Sequence, residues 1–127
     1  MTWSRRPVAA ALVDLLGTAT GGTVTVFAEQ PLTLNPPALV VADATVRFSR
    51  AALSVDEVDL PVLCIGPAGA SDDVDALAGT VRAAVDADRT LGGAVQIVYA
   101  AEQRNARHVN IAGIDLKVLE VGLSITM

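Results

Sequence analysis

One cysteine, one histidine and four aromatic side chains (Trp3, Phe27, Phe48 and Tyr99) are all that 127 residues contain of these types. A single cysteine excludes an internal disulfide, and the apolar run around Cys64 predicts a small buried hydrophobe. A single histidine, His108, excludes two-histidine catalysis and His-rich metal sites, and its polar surroundings predict a solvated ring. With so few aromatics, stacking on bases is poorly provided for. Cations are also scarce: 9 Lys and Arg against 14 Asp and Glu give a net charge of -5 and a pI near 4.6. That balance argues against nucleic-acid binding, whose affinity comes from clustered Lys and Arg on phosphates. No apolar run approaches the ~20 residues of a membrane span. Arg5 and Arg6 precede an apolar segment, but Asp14 interrupts it and Pro7 suits a first helical turn. The expectation is a protein without a signal peptide that stays in the cytoplasm where it is made.

What the chain does have is aliphatic bulk. Its hydrophobic content is 52% and its mean hydropathy +0.50, mostly Ala, Val and Leu in segments broken by charges. Two readings stand open: a two-sided core with Ala-rich helices, or a face buried by identical subunits, whose interfaces are more apolar than ordinary surface. At this length a single domain, residues 1–127, is expected.

Periodicity predicts a helix over Arg5–Leu16, with Ser4 as N-cap, one stripe of Val8, Leu12, Leu15 and Leu16, and Gly17 as its stop. Thr23–Ala28 reads as a strand, and Gln30–Pro37, with three prolines, as an ordered loop. Ala38–Ala42 is wholly apolar and suits a central strand; Thr45–Ser49 alternates. In Val55–Gly66, Val58, Leu60, Val62 and Cys64 share one face, while Asp59, Pro61, Leu63 and Ile65 share the other. Pro61 predicts an edge position or a bulge there.

After a turn at Pro67–Ala70, Ser71 is placed to cap a second helix whose first turn carries Asp72, Asp73 and Asp75 against the helix dipole. Its stripe is Val74, Leu77, Ala78, Val81 and Val85. The helix ends at Asp86–Val95, where Gly92 and Gly93 supply positive φ and Leu91 folds back as an apolar clip. A strand to about Ala101, with Val95, Ile97 and Tyr99 alternating, precedes a polar loop at Glu102–Ala106. A closing hairpin, Arg107–Ile111 and Ile114–Thr126, turns at Ala112–Gly113. In its second strand Ile114, Leu116 and Val118 hold one phase and Leu119, Val121, Leu123 and Ile125 the other, which predicts a bulge or a change of partner near Val118–Leu119. The fold class expected is α+β: two helices packed on one face of a mostly antiparallel sheet, closed by a C-terminal hairpin.

Catalytic constellations are missing. No Gly-x-Ser-x-Gly elbow occurs, and neither glycine pair is followed by Lys-Ser/Thr as a phosphate loop requires. Asp72, Asp73 and Asp75 lack the twelve-residue pattern of a calcium loop. Asp86 and Asp88 lie two apart on a helix and face different ways. No catalytic residue, cofactor or metal is expected, and the protein is read as not an enzyme. Charge is locally segregated: Asp56, Glu57 and Asp59 are acidic, Arg104, Arg107 and His108 basic. These are either two solvated loops or patches that meet across neighbouring subunits.

Two stretches resemble a known family. Asp88-Arg89-Thr90-Leu91-Gly92-Gly93-Ala94-Val95 after the second helix, and Leu34-Asn35-Pro36-Pro37-Ala38-Leu39-Val40-Val41 entering a buried strand, are similar to the tail terminator (tail-completion) proteins of long-tailed bacteriophages. The resemblance implies a structural virion protein that forms a hexameric ring on the tail tube, ends tube polymerisation and presents the head-tail joining surface. Implied partners are copies of itself, the tail tube protein and a head-side connector or stopper protein; the implied location is the head-proximal end of the tail, after assembly in the host cytoplasm. Loops 29–37, 66–72 and 102–108 are the candidate contact regions, with Glu29, Gln30, Leu32, Asn35, Asp72, Arg104 and Arg107 as candidate interface residues. The alternatives are another neck protein, a stopper or head-completion protein, and a small cellular α+β ligand-binding or regulatory domain.

Overall fold

A computed structural model describes residues 3–31, 33–48 and 56–127; Leu32, Ser49 and Val55 therefore lie outside the described residues. The elements run α1 (Arg5–Ala19), β1 (Thr25–Phe27), β2 (Ala38–Val41), β3 (Thr45–Phe48), β4 (Asp56–Pro67), a 3-10 turn (Ala68–Ala70), α2 (Ser71–Ala87), β5 (Ile97–Ile111) and β6 (Ile114–Thr126). The sheet order is β1-β2-β4-β6-β5, with β3 also paired to β4. Every pairing is antiparallel except β1 with β2. Both helices pack on one face, so the architecture is the expected α+β.

The main core lies between helices and sheet. Val8, Leu12 and Leu16 of α1 and Val74, Ala78, Val81 and Val85 of α2 meet Leu39, Val41, Leu60, Val62, Cys64, Val121 and Leu123. Both helical stripes are thus the ones that periodicity indicates. Cys64 is fully buried, and desolvation pushes its thiol up to about 12. A small apolar side chain rather than a thiolate is what the core receives there.

Several boundaries differ from the sequence expectation, each for a local reason. Gly17 does not stop α1, because one interior glycine costs only about 1 kcal/mol. The stop comes at Thr20, whose hydroxyl donates to Leu16 O at 2.9 Å, ahead of Gly21 and Gly22 at positive φ. Ser4 holds the N-cap position without a side-chain cap bond; the entry is tied down by Trp3 N–H donating to Asp56 Oδ2 at 2.8 Å. Ser71 is the first residue of α2 rather than its cap, and its hydroxyl accepts from Lys117 Nζ at 2.6 Å.

Pro61 sits in a central strand, not at an edge, and β4 pairs with β6 in unbroken register from Glu57↔Thr126 to Pro67↔Leu116. The missing N–H falls in the gap between two partners on the other side: β2 ends opposite Val62 and β3 begins opposite Asp59. Only the connecting turn passes there, with Ala42 N–H donating to Pro61 O at 2.9 Å. A proline in mid-sheet is tolerated because no ladder donor is needed at that point.

The two phases of the last strand have a different cause from a slip. β6 is regular against β4; its odd-numbered residues Leu119, Val121, Leu123 and Ile125 face the helices. Its even-numbered Leu116 and Val118 join Val40 and Ile65 in a second, smaller cluster on the opposite face. The strand is covered on different faces along its length, so both phases read as apolar. The irregularities lie on its partner: β5 shifts register between Val98 and Ala100 and again between Arg104 and Arg107. Residues 102–106, expected as a loop, belong to this continuous strand. Edge position lets polar residues occupy a ladder.

The helix-to-strand corner is tighter than foreseen. Asp88 accepts from Gly92 N–H at 2.8 Å and from the Thr90 hydroxyl at 3.1 Å. Leu91, itself at φ 50°, is buried in the core as an apolar clip. Val95 and Val98 point inward, while Ile97 and Tyr99 are exposed, so the expected alternation of 95, 97 and 99 is broken as the strand begins at Ile97. The Ala112–Gly113 turn closes Ile111 onto Ile114 with φ of 53° and 81°, the left-handed pair of a two-residue hairpin.

Candidate functional site

The helices leave the other face of the sheet open, and its side chains follow from strand parity. β4 contributes Asp59, Leu63 and Ile65; β6 contributes Leu116, Val118, Glu120 and Gly122. Two territories result. One is apolar: Val40, Ile65, Leu116 and Val118 are buried, with Phe27, Leu34, Leu63 and Val109 packed against them. The 29–37 loop supplies Leu34 to this cluster. Between that loop and the hairpin tip lies a groove of about 370 Å³ whose floor includes Leu63, Ile65 and Leu116 and whose rim includes Ile111 and Ile114. Both rim isoleucines are 54% exposed.

The second territory is charged and almost wholly paired. Arg104 crosses the sheet to donate through Nη2 to both Asp59 oxygens at 2.9 and 2.8 Å and through Nε to Glu120 at 3.4 Å. It can lie flat because position 122 has no side chain: a Cβ there would stand 2.5 Å from Arg104 Cζ. Glu120 also accepts from Asn105 at 3.0 Å and Arg107 at 3.1 Å. Burial pushes the Glu120 carboxyl upward, but the hydrogen bonds from Asn105, Arg107 and Arg104 outweigh it and hold the group below its ordinary value. The bond to Asp59 is the main reason that Arg104 is held above its own.

The acidic and basic stretches of the sequence therefore meet through Arg104 and Asp59 inside one chain. Arg104 and Arg107 lie on β5 and share Glu120. Gln30 is exposed on the wall of the groove, and Glu29 is exposed beside it around a shallower hollow with Arg5 and Asp43. Asn35 is exposed in the same loop, and Asp72 is exposed in the first turn of α2. The structure does not gather these candidates into one site: Arg104 and Arg107 are engaged within the chain, and the loop residues and Asp72 stand apart.

Three contributors escaped the sequence reading. Gly122, isolated in a strand pattern, is the signal that a close approach occurs there. Arg5 ties α1 to the ends of the parallel pair, donating to Ala28 O at 2.6 Å and Val41 O at 2.7 Å. Lys117, buried on the helix face, donates to Ser71 Oγ and to Asp75 Oδ1 at 2.8 Å. This resembles a nucleophile–base pair only in composition. An ammonium donating to both groups offers no lone pair to take the hydroxyl proton. His108 is exposed on β5. Among the described residues no group of three or more His, Cys, Asp or Glu side chains could hold a metal ion, and no helix is long and apolar enough to cross a membrane.

Comparison with models of known protein families finds no match, and comparison with curated proteins finds no significant relative.

Proposed function

We propose that the chain is a structural subunit of the tail-terminator type, acting by shape and assembly: a ring that caps a phage tail tube, ends its growth and joins the head side. One observation carries the reading most. Among the described residues the exposed large hydrophobics are Ile97 and Tyr99 near one end of β5 and Ile111, with its hairpin partner Ile114 of β6, at the other; β5 is a 15-residue strand that spans roughly 45 Å at strand rise. A subunit with an apolar spot at each end suits contacts on two sides, and head-to-tail contacts whose rotation closes give a ring. The two stretches that carry the sequence resemblance suit such a role: the corner at 88–95 is hydrogen-bonded through Asp88, and the loop at 34–37 packs Leu34 on the second cluster before entering buried β2.

The test is reconstitution. Added to polymerising tail tube protein, the chain should limit tube length and appear by electron microscopy as a ring at one end. Tubes of unchanged length with no bound ring overturn the reading. The apolar groove favours a second reading, a small binding or regulatory domain of a cell, for which a dimer that retains a metabolite through purification is the expected observation.

A further inference from the structure

We propose that Arg104 is a fixed, flat platform on which an aromatic side chain of a partner protein stacks. The close approach at Gly122 shows how the guanidinium lies. A Cβ at that position would stand 2.5 Å from Cζ, 2.7 Å from Nη1 and 2.8 Å from Nη2. The carbon is nearest and both nitrogens are only slightly farther, which is an approach to the face of the plane and not to its edge. One face of the guanidinium therefore rests on the strand at Gly122, where the missing side chain permits it. With that face covered, the 27% of the side chain that is exposed belongs to the outer face and the rim.

Three contacts hold the plate in place: Nη2 with both oxygens of Asp59, and Nε with Glu120. They tie it to β4 and β6, so little side-chain freedom is left to lose on binding. Around it the open face is low, with Pro61 opposite Gly122 on β4 and Ala100 opposite Ser124 on β5. The charges then decide between a ring and an anion. Arg104 and Arg107 are balanced by Asp59 and Glu120, and the exposed Glu102 lies opposite Gly122. An incoming carboxylate or phosphate gains no net attraction there. An aromatic ring brings no charge to desolvate, and its negative face is drawn to the cation beneath it. The guanidinium plane is delocalised and weakly hydrated, which suits stacking in a way that an ammonium does not. None of this depends on whether copies of the chain form a ring.

The experiment titrates the isotope-labelled full chain with N-acetyl-tryptophanamide and follows the Arg104 Nε–H and Gly122 amide resonances by NMR. Loss of a side-chain signal in Arg104→Lys assigns the first of these. A ring lying over the plane should move both resonances upfield and saturably. The saturated-ring analogue N-acetyl-cyclohexylalaninamide should bind about two- to fivefold more weakly, the span of an exposed cation–π contact. Gly122→Ala, which expels the guanidinium, should abolish the Nε–H shift and weaken the tryptophan probe by the same factor. Arg104→Lys keeps the charge, loses the plane and leaves the strand untouched; it should weaken the probe likewise. No saturable shift, equal affinity for the saturated ring, or indifference to both substitutions overturns the proposal. So does acetate that moves the same resonances at lower concentration, because the guanidinium edge then binds an anion. Shifts confined to Ile111, Ile114 and Leu116 overturn it too, since the probe then fills the apolar groove.

Discussion

Replacing Gly122 with Ala should leave stability almost unchanged when Arg104 is present and raise it when Arg104 is absent. In the native chain the new methyl would fall 2.5 Å from the guanidinium carbon, so the side chain must leave and its two-pronged bond to Asp59 is lost. That pair is partly solvated, with side-chain exposures of 27% and 42%. Its loss is therefore worth about 1 kcal/mol, the upper end of exposed pairs, since Nη2 reaches both carboxylate oxygens in a charge-assisted contact. Against it stands a gain of roughly 0.4–1 kcal/mol, because alanine has less freedom to lose from the unfolded state. The two nearly cancel, leaving Gly122→Ala within about 0.6 kcal/mol of the native chain. In an Arg104→Ala background only the gain remains, and the same substitution should stabilise. A urea-denaturation cycle over the four proteins should return a coupling of about 1 kcal/mol. Additive effects, with Gly122→Ala equal in both backgrounds, refute the claim that the glycine exists to seat the guanidinium.

Gly66→Ala should be worse and uncompensated. Its methyl would meet Val74 Cγ2 at 2.6 Å, and Val74 is fully buried, so a loss of about 1–3 kcal/mol is expected by thermal denaturation. Stability should fall as pH drops through the low carboxylate range. Glu120 is held below its ordinary value in the fold, so its contribution is complete above the unfolded pKa of about 4.3 and lost as pH falls through the folded one. Glu120→Gln should flatten that limb of the urea midpoint plotted against pH. Asp75→Ala should cost more than Lys117→Met. Removing the carboxylate leaves an ammonium at 11% exposure and a penalty of about 1–3 kcal/mol. Removing the ammonium strands only a carboxylate that is 55% exposed, and calorimetry should find less than about 1 kcal/mol.

The architecture was legible wherever one face of an element meets the core. Both helical stripes, the two faces of β4 and the Ala112–Gly113 turn follow from period and turn chemistry alone. The departures share one cause: a neighbour distant in sequence decides what the local pattern means. Pro61 is harmless because β2 and β3 leave a gap beside it, which nothing within β4 announces. The phase change in β6 reports the covering of two faces by distant residues, Val40 among them, rather than a fault in the strand. Residues 102–106 look like a loop because an edge strand need not alternate. At the candidate surface, charge marks Arg104 and Arg107, but their partners Asp59 and Glu120 lie 45 and 16 residues from Arg104 in sequence. Only the isolated Gly122 hinted that something lies across the sheet.

The register shifts of β5 bear on what the sheet edge will not do. Its outermost strand presents a straight ladder only over Ala100–Arg104 and Arg107–Ile111. Any strand arriving from another molecule finds its hydrogen bonds in step for a few residues and then out of step. Such interruptions are how native sheets keep their borders from templating further strands. The uneven register along this longest border therefore opposes open-ended strand addition to an aliphatic-rich sheet.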